Sequence, residues 1–240
     1  MQIFKVKNYE ELSKEAAKII AGLMKKKPEA ILGLATGSTP IGLYQNLIKM
    51  YEQGEISFKQ IKTYNLDEYC DLPKSHPQSY FSFMHEQLFN HVDILEKNVH
   101  LPSGEGEDLK ALADKYNQML GKVSIDLQVL GIGGNGHIGF NEPKTPFDQE
   151  TFIVELTEKT RLDNQRFFNS LDEVPKRAIT MGIKNILAAK SILLLISGKA
   201  KAEAVKKLVY GDPTVDFPAS ALKNHTKVTV IIDEDAASLL

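Results

Sequence analysis

The chain has 240 residues, 42% of them hydrophobic and 25% charged, and its formal net charge is −2. That length supports a large buried core in one α/β domain. The near-balanced charge argues against nucleic acid or an anionic membrane surface as a partner, so an anionic ligand would have to be held by local geometry.

In chain order, the N-terminal "MQIFKVKNYEELSKEAA" lacks the apolar core of a signal peptide. Leu12, Ala16, Ile19, Ile20 and Leu23 recur at helical spacing, and the "KKK" at 25–27 reads as the solvated end of that helix. "AILGLA" (30–35) reads as a strand, followed by a helix presenting Tyr44, Leu47, Ile48 and Tyr51 on one face. "IKTYNL" (61–66) is a second strand, "EDLKALADKYNQMLGKV" a helix and "IDLQVLGI" (125–132) a third strand. "SILLLIS" (191–197), too short to cross a bilayer, "KAKAEAVKKLVYG" with a Gly211 cap, and "KVTVIID" (227–233) complete the alternation. Strands apolar nearly end to end, separated by helices, predict a single-domain, mostly parallel sheet covered by helices on both faces, a modified Rossmann-like α/β fold. Cys70, the lone cysteine, excludes an internal disulfide and a paired-cysteine metal site, and fits a reducing compartment; a cytoplasmic protein is expected.

Ligands of such sheets sit beyond the carboxyl ends of the strands, so three strand-end segments matter. After the first comes "TGSTP", Thr36 to Pro40, in which Pro40 suits the first helical position and Ser38 or Thr39 can cap it. A glycine beside three hydroxyls at a helix start is a cradle for one phosphate, although a capped turn that binds nothing has the same sequence. After the second comes "DEY": two adjacent carboxylates at a strand end cannot both face the core, and read either as the polar start of a loop or as Asp67 presented to a cleft as a base. An unperturbed Asp has a pKa of ~3.9, so abstracting a carbon-bound proton requires burial to raise it.

After the third comes "GIGGNGHIGFNEP", whose Gly131, Gly133 and Gly136 spell a dinucleotide fingerprint. Gly139, Pro143 and Pro146 prevent the helix such a fingerprint must open, so NAD is rejected. The glycines instead let the chain pass close to a ligand while displaying Asn135, His137 and Glu142. A lone histidine is usually structural; one between glycines, with a carboxamide two positions before and a carboxylate five after, is a better acid–base candidate.

With these segments in place, the sequence closely resembles the glucosamine-6-phosphate deaminase family. "LATGSTPIGLY", "SFKQIKTYNLDEYCDLPKSHPQSYFSFM", "GIGGNGHIGFNEP", "TRLDNQRFFNSLDEVPKRAITMGI" and "ASALKNH" carry the resemblance in order along nearly the whole chain. It implies conversion of glucosamine 6-phosphate to fructose 6-phosphate and ammonia, in amino-sugar catabolism. It implies Asp67 as the base between C2 and C1, and His137, supported by Glu142 and Asn135, as the group that opens the sugar ring. The substrate's phosphate would rest on Thr36, Gly37, Ser38 and Thr39 with Gly136 nearby, closed by Arg166 and Lys201. No metal or organic cofactor is implied.

Two departures from the family stand out. Asn135 replaces an Asp common in the family and is expected to orient rather than transfer protons, leaving more electrostatic work to Glu142. Phe152 and Val154 stand where allosterically activated members carry cations, and the chain stops soon after its last strand, so a monomer or small homo-oligomer without activation by N-acetylglucosamine 6-phosphate is expected. The alternatives are a 6-phosphogluconolactonase-type hydrolase, which needs no carbon-acid base, a non-catalytic sugar-phosphate sensor, and a metal hydrolase, for which the remaining histidines lack ligand-pair spacing.

Overall fold

The computed structural model describes residues 1–165 and 168–240. Among them, a seven-stranded sheet runs β1 (Gln2–Val6), β10 (Val228–Asp233), β9 (Ile192–Ile196), β6 (Leu127–Leu130), β2 (Ile31–Leu34), β3 (Lys62–Asn65) and β5 (Val99–His100), and every neighbouring pair is parallel. A separate three-stranded antiparallel sheet, β4 (Asp67–Tyr69), β8 (Arg177–Thr180) and β7 (Phe152–Glu155), was not expected from the sequence. Leu66 joins the two sheets: its N–H donates to Leu34 O (3.1 Å) in the large one, and its carbonyl accepts from Met181 N–H (2.7 Å) beside the small one.

Helix α1 (Tyr9–Lys26) starts where the Asn8 side chain accepts from Glu11 N–H, and it buries Leu12, Ala16, Ala17, Ile20, Ala21 and Met24. Its end is less solvated than the lysine run suggests. Lys27 reaches the buried Asp126 carboxylate (2.7 and 2.9 Å), which also accepts from Lys190 (2.8 Å) and from Ile31 N–H (2.9 Å). That carboxylate ties α1 to the amino ends of the central strands.

Helices α2 (Ile41–Glu52) and α3 (Tyr80–Gln87) sit in crossovers running outward from β2 to β3 and β5. Helices α4 (Leu109–Leu120), α6 (Ile183–Leu187) and α7 (Ala202–Tyr210) sit in crossovers running the opposite way, towards β6, β9 and β10, while α5 (Glu158–Asn164) precedes β8. Because such crossovers are right-handed, the first group with α1 covers one face and the second covers the other. Both faces of β9 are consequently buried along its whole length, as its unbroken apolar run requires. The chain order reverses between β2 and β6, and the crevice beyond their carboxyl ends is the place such a sheet offers a ligand.

Candidate active site

The turn after β2 lies on one side of that crevice. Gly37 has φ +91°, a region costly for any side chain, and the space where its Cβ would stand holds no atom within 4 Å. The expected Ser38 or Thr39 cap is not made: Pro40 occupies the N-cap position of α2 and no side chain caps it. A residue from α1 does the work instead. The Tyr9 hydroxyl accepts from Gly42 N–H (2.8 Å) and sits within donating distance of the Ser38 and Thr39 carbonyls (3.1 and 3.0 Å). The Ser38 and Thr39 hydroxyls are therefore not consumed by the helix, and Ser38 is exposed.

"DEY" is not a loop but the whole of β4. Alternation along a strand sends Asp67 and Glu68 to opposite faces, and contrary to expectation both carboxylates are buried. Glu68 is structural: it accepts from the N–H groups of Tyr69 (2.8 Å), Tyr80 (2.8 Å) and Phe81 (2.9 Å), holding the first turn of α3. Asp67 points the other way and accepts a hydrogen bond from Thr36 of the β2 turn. Burial, reinforced by the Glu68 charge and opposed by the Thr36 bond, pushes its carboxyl up to about 8.

The segment after β6 folds over Asp67. A Cβ on Gly139 (φ +56°) would lie 3.4 Å from Asp67 Oδ2, and Phe140 N–H donates to Thr180 Oγ1 (3.2 Å) on the strand paired with β4. No helix opens here, in line with the rejection of a dinucleotide turn. A tight turn forms instead, with Gly133 N–H donating to His137 O (2.9 Å) and Gly136 N–H to Gly133 O (3.0 Å). Gly136 (φ +87°) packs on the Phe217 ring. A Cβ on Gly133 would lie 2.2 Å from His137 Cε1, so that glycine provides the room for the imidazole. Gly133→Ala is expected to leave the fold intact and cut turnover by at least tenfold by displacing the ring; unchanged steady-state kinetics would show that the imidazole position does not matter.

Asn135 bridges the backbone of this segment to its carboxylate. Its Oδ1 accepts from the His137 backbone N–H (3.1 Å), and its Nδ2 donates to Glu142 Oε2 (2.6 Å). Glu142 Oε1 lies 3.7 Å from His137 Nδ1 and accepts from the Thr160 hydroxyl (2.8 Å). Thr36, Asp67 and Gly139 thus link the first turn to the third, and Asn135, His137 and Glu142 form one cluster within that third segment. Lys201 stands half-buried at the N-cap of α7, in the turn after β9 and so at the same end of the sheet. Arg166 lies outside the described residues. Sequence reasoning missed Tyr9 and Thr160. Only Thr160 left a local trace, the Thr157-x-x-Thr160 spacing of a capped helix start.

A buried carboxylate facing a glycine-walled segment that carries an imidazole beside a carboxylate, at the switch point of a parallel sheet, is the setting of an α/β enzyme. The chain belongs to the family of glucosamine-6-phosphate isomerases and 6-phosphogluconolactonases, whose model matches residues 6–231. It is 53% identical over 241 aligned positions to a glucosamine-6-phosphate deaminase of Thermoanaerobacter pseudethanolicus, covering all of this chain and 95% of that one. It is 51% identical over 240 positions to glucosamine-6-phosphate deaminase 1 of Bacillus subtilis, covering 100% of this chain and 99% of that one. Among solved structures, it superposes on a monomeric glucosamine-6-phosphate deaminase with a TM-score of 0.98 at 51% identity, both chains being covered completely. A 6-phosphogluconolactonase of Thermotoga maritima shares the fold, with a TM-score of 0.76 at 21% identity over 97% of this chain and 98% of that one.

Proposed function

We propose that this protein is a glucosamine-6-phosphate deaminase that converts glucosamine 6-phosphate and water to fructose 6-phosphate and ammonia. The observation that carries the reading is the buried Asp67 carboxyl, pushed up to about 8 and overlaid by the segment bearing His137. Lactone hydrolysis has no use for such a base, whereas moving a proton from carbon to carbon requires one.

In this reading the phosphate rests on Thr36 to Thr39, with Gly136 nearby and Arg166 and Lys201 supplying positive charge. His137 takes the proton of the C1 hydroxyl and returns one to the ring oxygen, opening the pyranose. The Glu142 carboxylate stabilises the imidazolium while it lasts. Asp67 then removes the C2 proton and delivers it to C1, and the resulting imine at C2 is hydrolysed to the ketone with release of ammonia. Neither a metal nor an organic cofactor takes part.

A coupled assay that detects both ammonia and fructose 6-phosphate tests the reading. Formation of both in equal amounts is expected, and hydrolysis of 6-phosphogluconolactone in place of it would overturn the proposal. Regulation is expected to be simple. Phe152 and Val154 lie on β7 paired with Thr180 and Ala178 of β8, and Val154 packs against the Tyr69–Phe140 cluster. Saturation curves are therefore expected to stay hyperbolic and unmoved by N-acetylglucosamine 6-phosphate, with a light-scattering mass near the 26.8 kDa of one chain. Sigmoidal kinetics relieved by that compound would contradict this.

A further inference from the structure

We propose that Thr160, at the start of α5, is a positioning residue for ring opening: its hydroxyl fixes the placement of the Glu142 carboxylate. This rests on the deaminase reading for its kinetic consequence, though not for its structural one.

Glu142 is buried, at 9% exposure, and its neighbours satisfy both of its oxygens. Asn135 Nδ2 donates to Oε2 (2.6 Å) and Thr160 Oγ1 to Oε1 (2.8 Å), the oxygen that faces His137 Nδ1 at 3.7 Å. A carboxylate only accepts, so the Thr160 proton must point at Oε1. Thr160 Oγ1 lies 2.9 Å from Thr157 Oγ1, so Thr157 must be the donor in that second contact. Thr157 Oγ1 in turn accepts from Thr160 N–H (3.2 Å), closing the α5 cap. The direction of the hydroxyl relay is thereby fixed by the helix start at one end and the carboxylate at the other. The two donors hold Oε1 in place while the imidazole gains and loses a proton.

His137 faces Glu142, with Nδ1 3.7 Å from Oε1. Asn135 and Thr160 are neutral. Arg161, next along α5, turns to the carbonyls of Leu171 (2.6 Å) and Val174 (3.2 Å), and Lys144 pairs with Asp216. Removing the Thr160 hydroxyl therefore changes the carboxylate's own hydrogen bonding rather than its charged surroundings.

The test compares wild type, Thr160→Val and Thr160→Ser by the NMR resonance of the Asn135 side-chain amide, which donates to the same carboxylate, in the unliganded protein, followed by kcat and KM on the cyclic sugar. Valine is expected to move the Asn135 amide resonance and to lower kcat severalfold with little change in KM. Serine, which keeps the hydroxyl, is expected to restore both. An Asn135 amide resonance unmoved in the valine variant, or a serine variant behaving like valine, would overturn the proposal. A wild-type protein with no deaminase activity would instead defeat the functional reading and leave the NMR result standing.

Discussion

Asp67→Asn is expected to lower deaminase turnover by about 10²–10⁴-fold, the range a positioned general base contributes, while making the folded protein more resistant to heat at alkaline pH. Both effects have one cause. The carboxyl ordinarily titrates near 3.8, and burial carries it to about 8 in the folded chain. Between those values the unfolded chain has released the proton and the folded one still holds it, so stability is fully present below about pH 4, is lost as pH climbs towards 8, and stays depressed above it. Asparagine carries no charge to bury. The melting temperature of the variant should match that of wild type near pH 4 and exceed it at pH 8–9, by about 2–4 °C for each kcal/mol relieved. For wild type, kcat/KM should rise with pH through about 8, since it reports the free enzyme and only the ionised base can act. A variant as heat-sensitive as wild type at pH 9 would mean that Asp67 is not the buried, destabilised group described above. A variant with normal turnover would remove it from the chemistry.

His137→Gln separates ring opening from proton transfer at carbon. On the cyclic sugar, kcat should fall by about 10²-fold or more, because an amide cannot shuttle a proton near neutrality. An analogue lacking both the C4 and C5 hydroxyls can close neither a furanose nor a pyranose and presents its aldehyde directly, so the variant should process it at close to the wild-type rate. The cluster makes the substitution local: Asn135 holds the backbone of residue 137 rather than its ring, and Glu142 keeps its Asn135 and Thr160 donors whatever side chain stands there. Equal losses on the two compounds would assign ring opening to another group.

The strands that could be read from the sequence lie within runs that are largely apolar and mostly buried; β3, KTYN, is marked only by the apolar Ile61 and Leu66 that flank it. β2, β3, β6, β9 and β10 fall inside the predicted runs. β1 escaped notice as an exposed edge strand, and β5 because it is two residues long. The small sheet escaped for a different reason. "DEY" and "RAIT" are too short to show a period, and they become strands only by pairing with each other across more than a hundred residues. The site divides along the same line. Asp67 announces itself as a carboxylate at a strand end, and Asn135, His137 and Glu142 by residue type in a glycine-rich strand-end segment. That Glu68 turns away to hold α3, or that Tyr9 takes over the cap expected of Ser38 or Thr39, depends on helices brought in from elsewhere in the chain, and no local pattern encodes it.

Leu66, hydrogen-bonded to both sheets, has a mechanical consequence. That residue stands one position before Asp67, so the base hangs from a stretch of backbone gripped on both sides. Its position is set by main-chain bonds to two sheets rather than by side-chain packing alone.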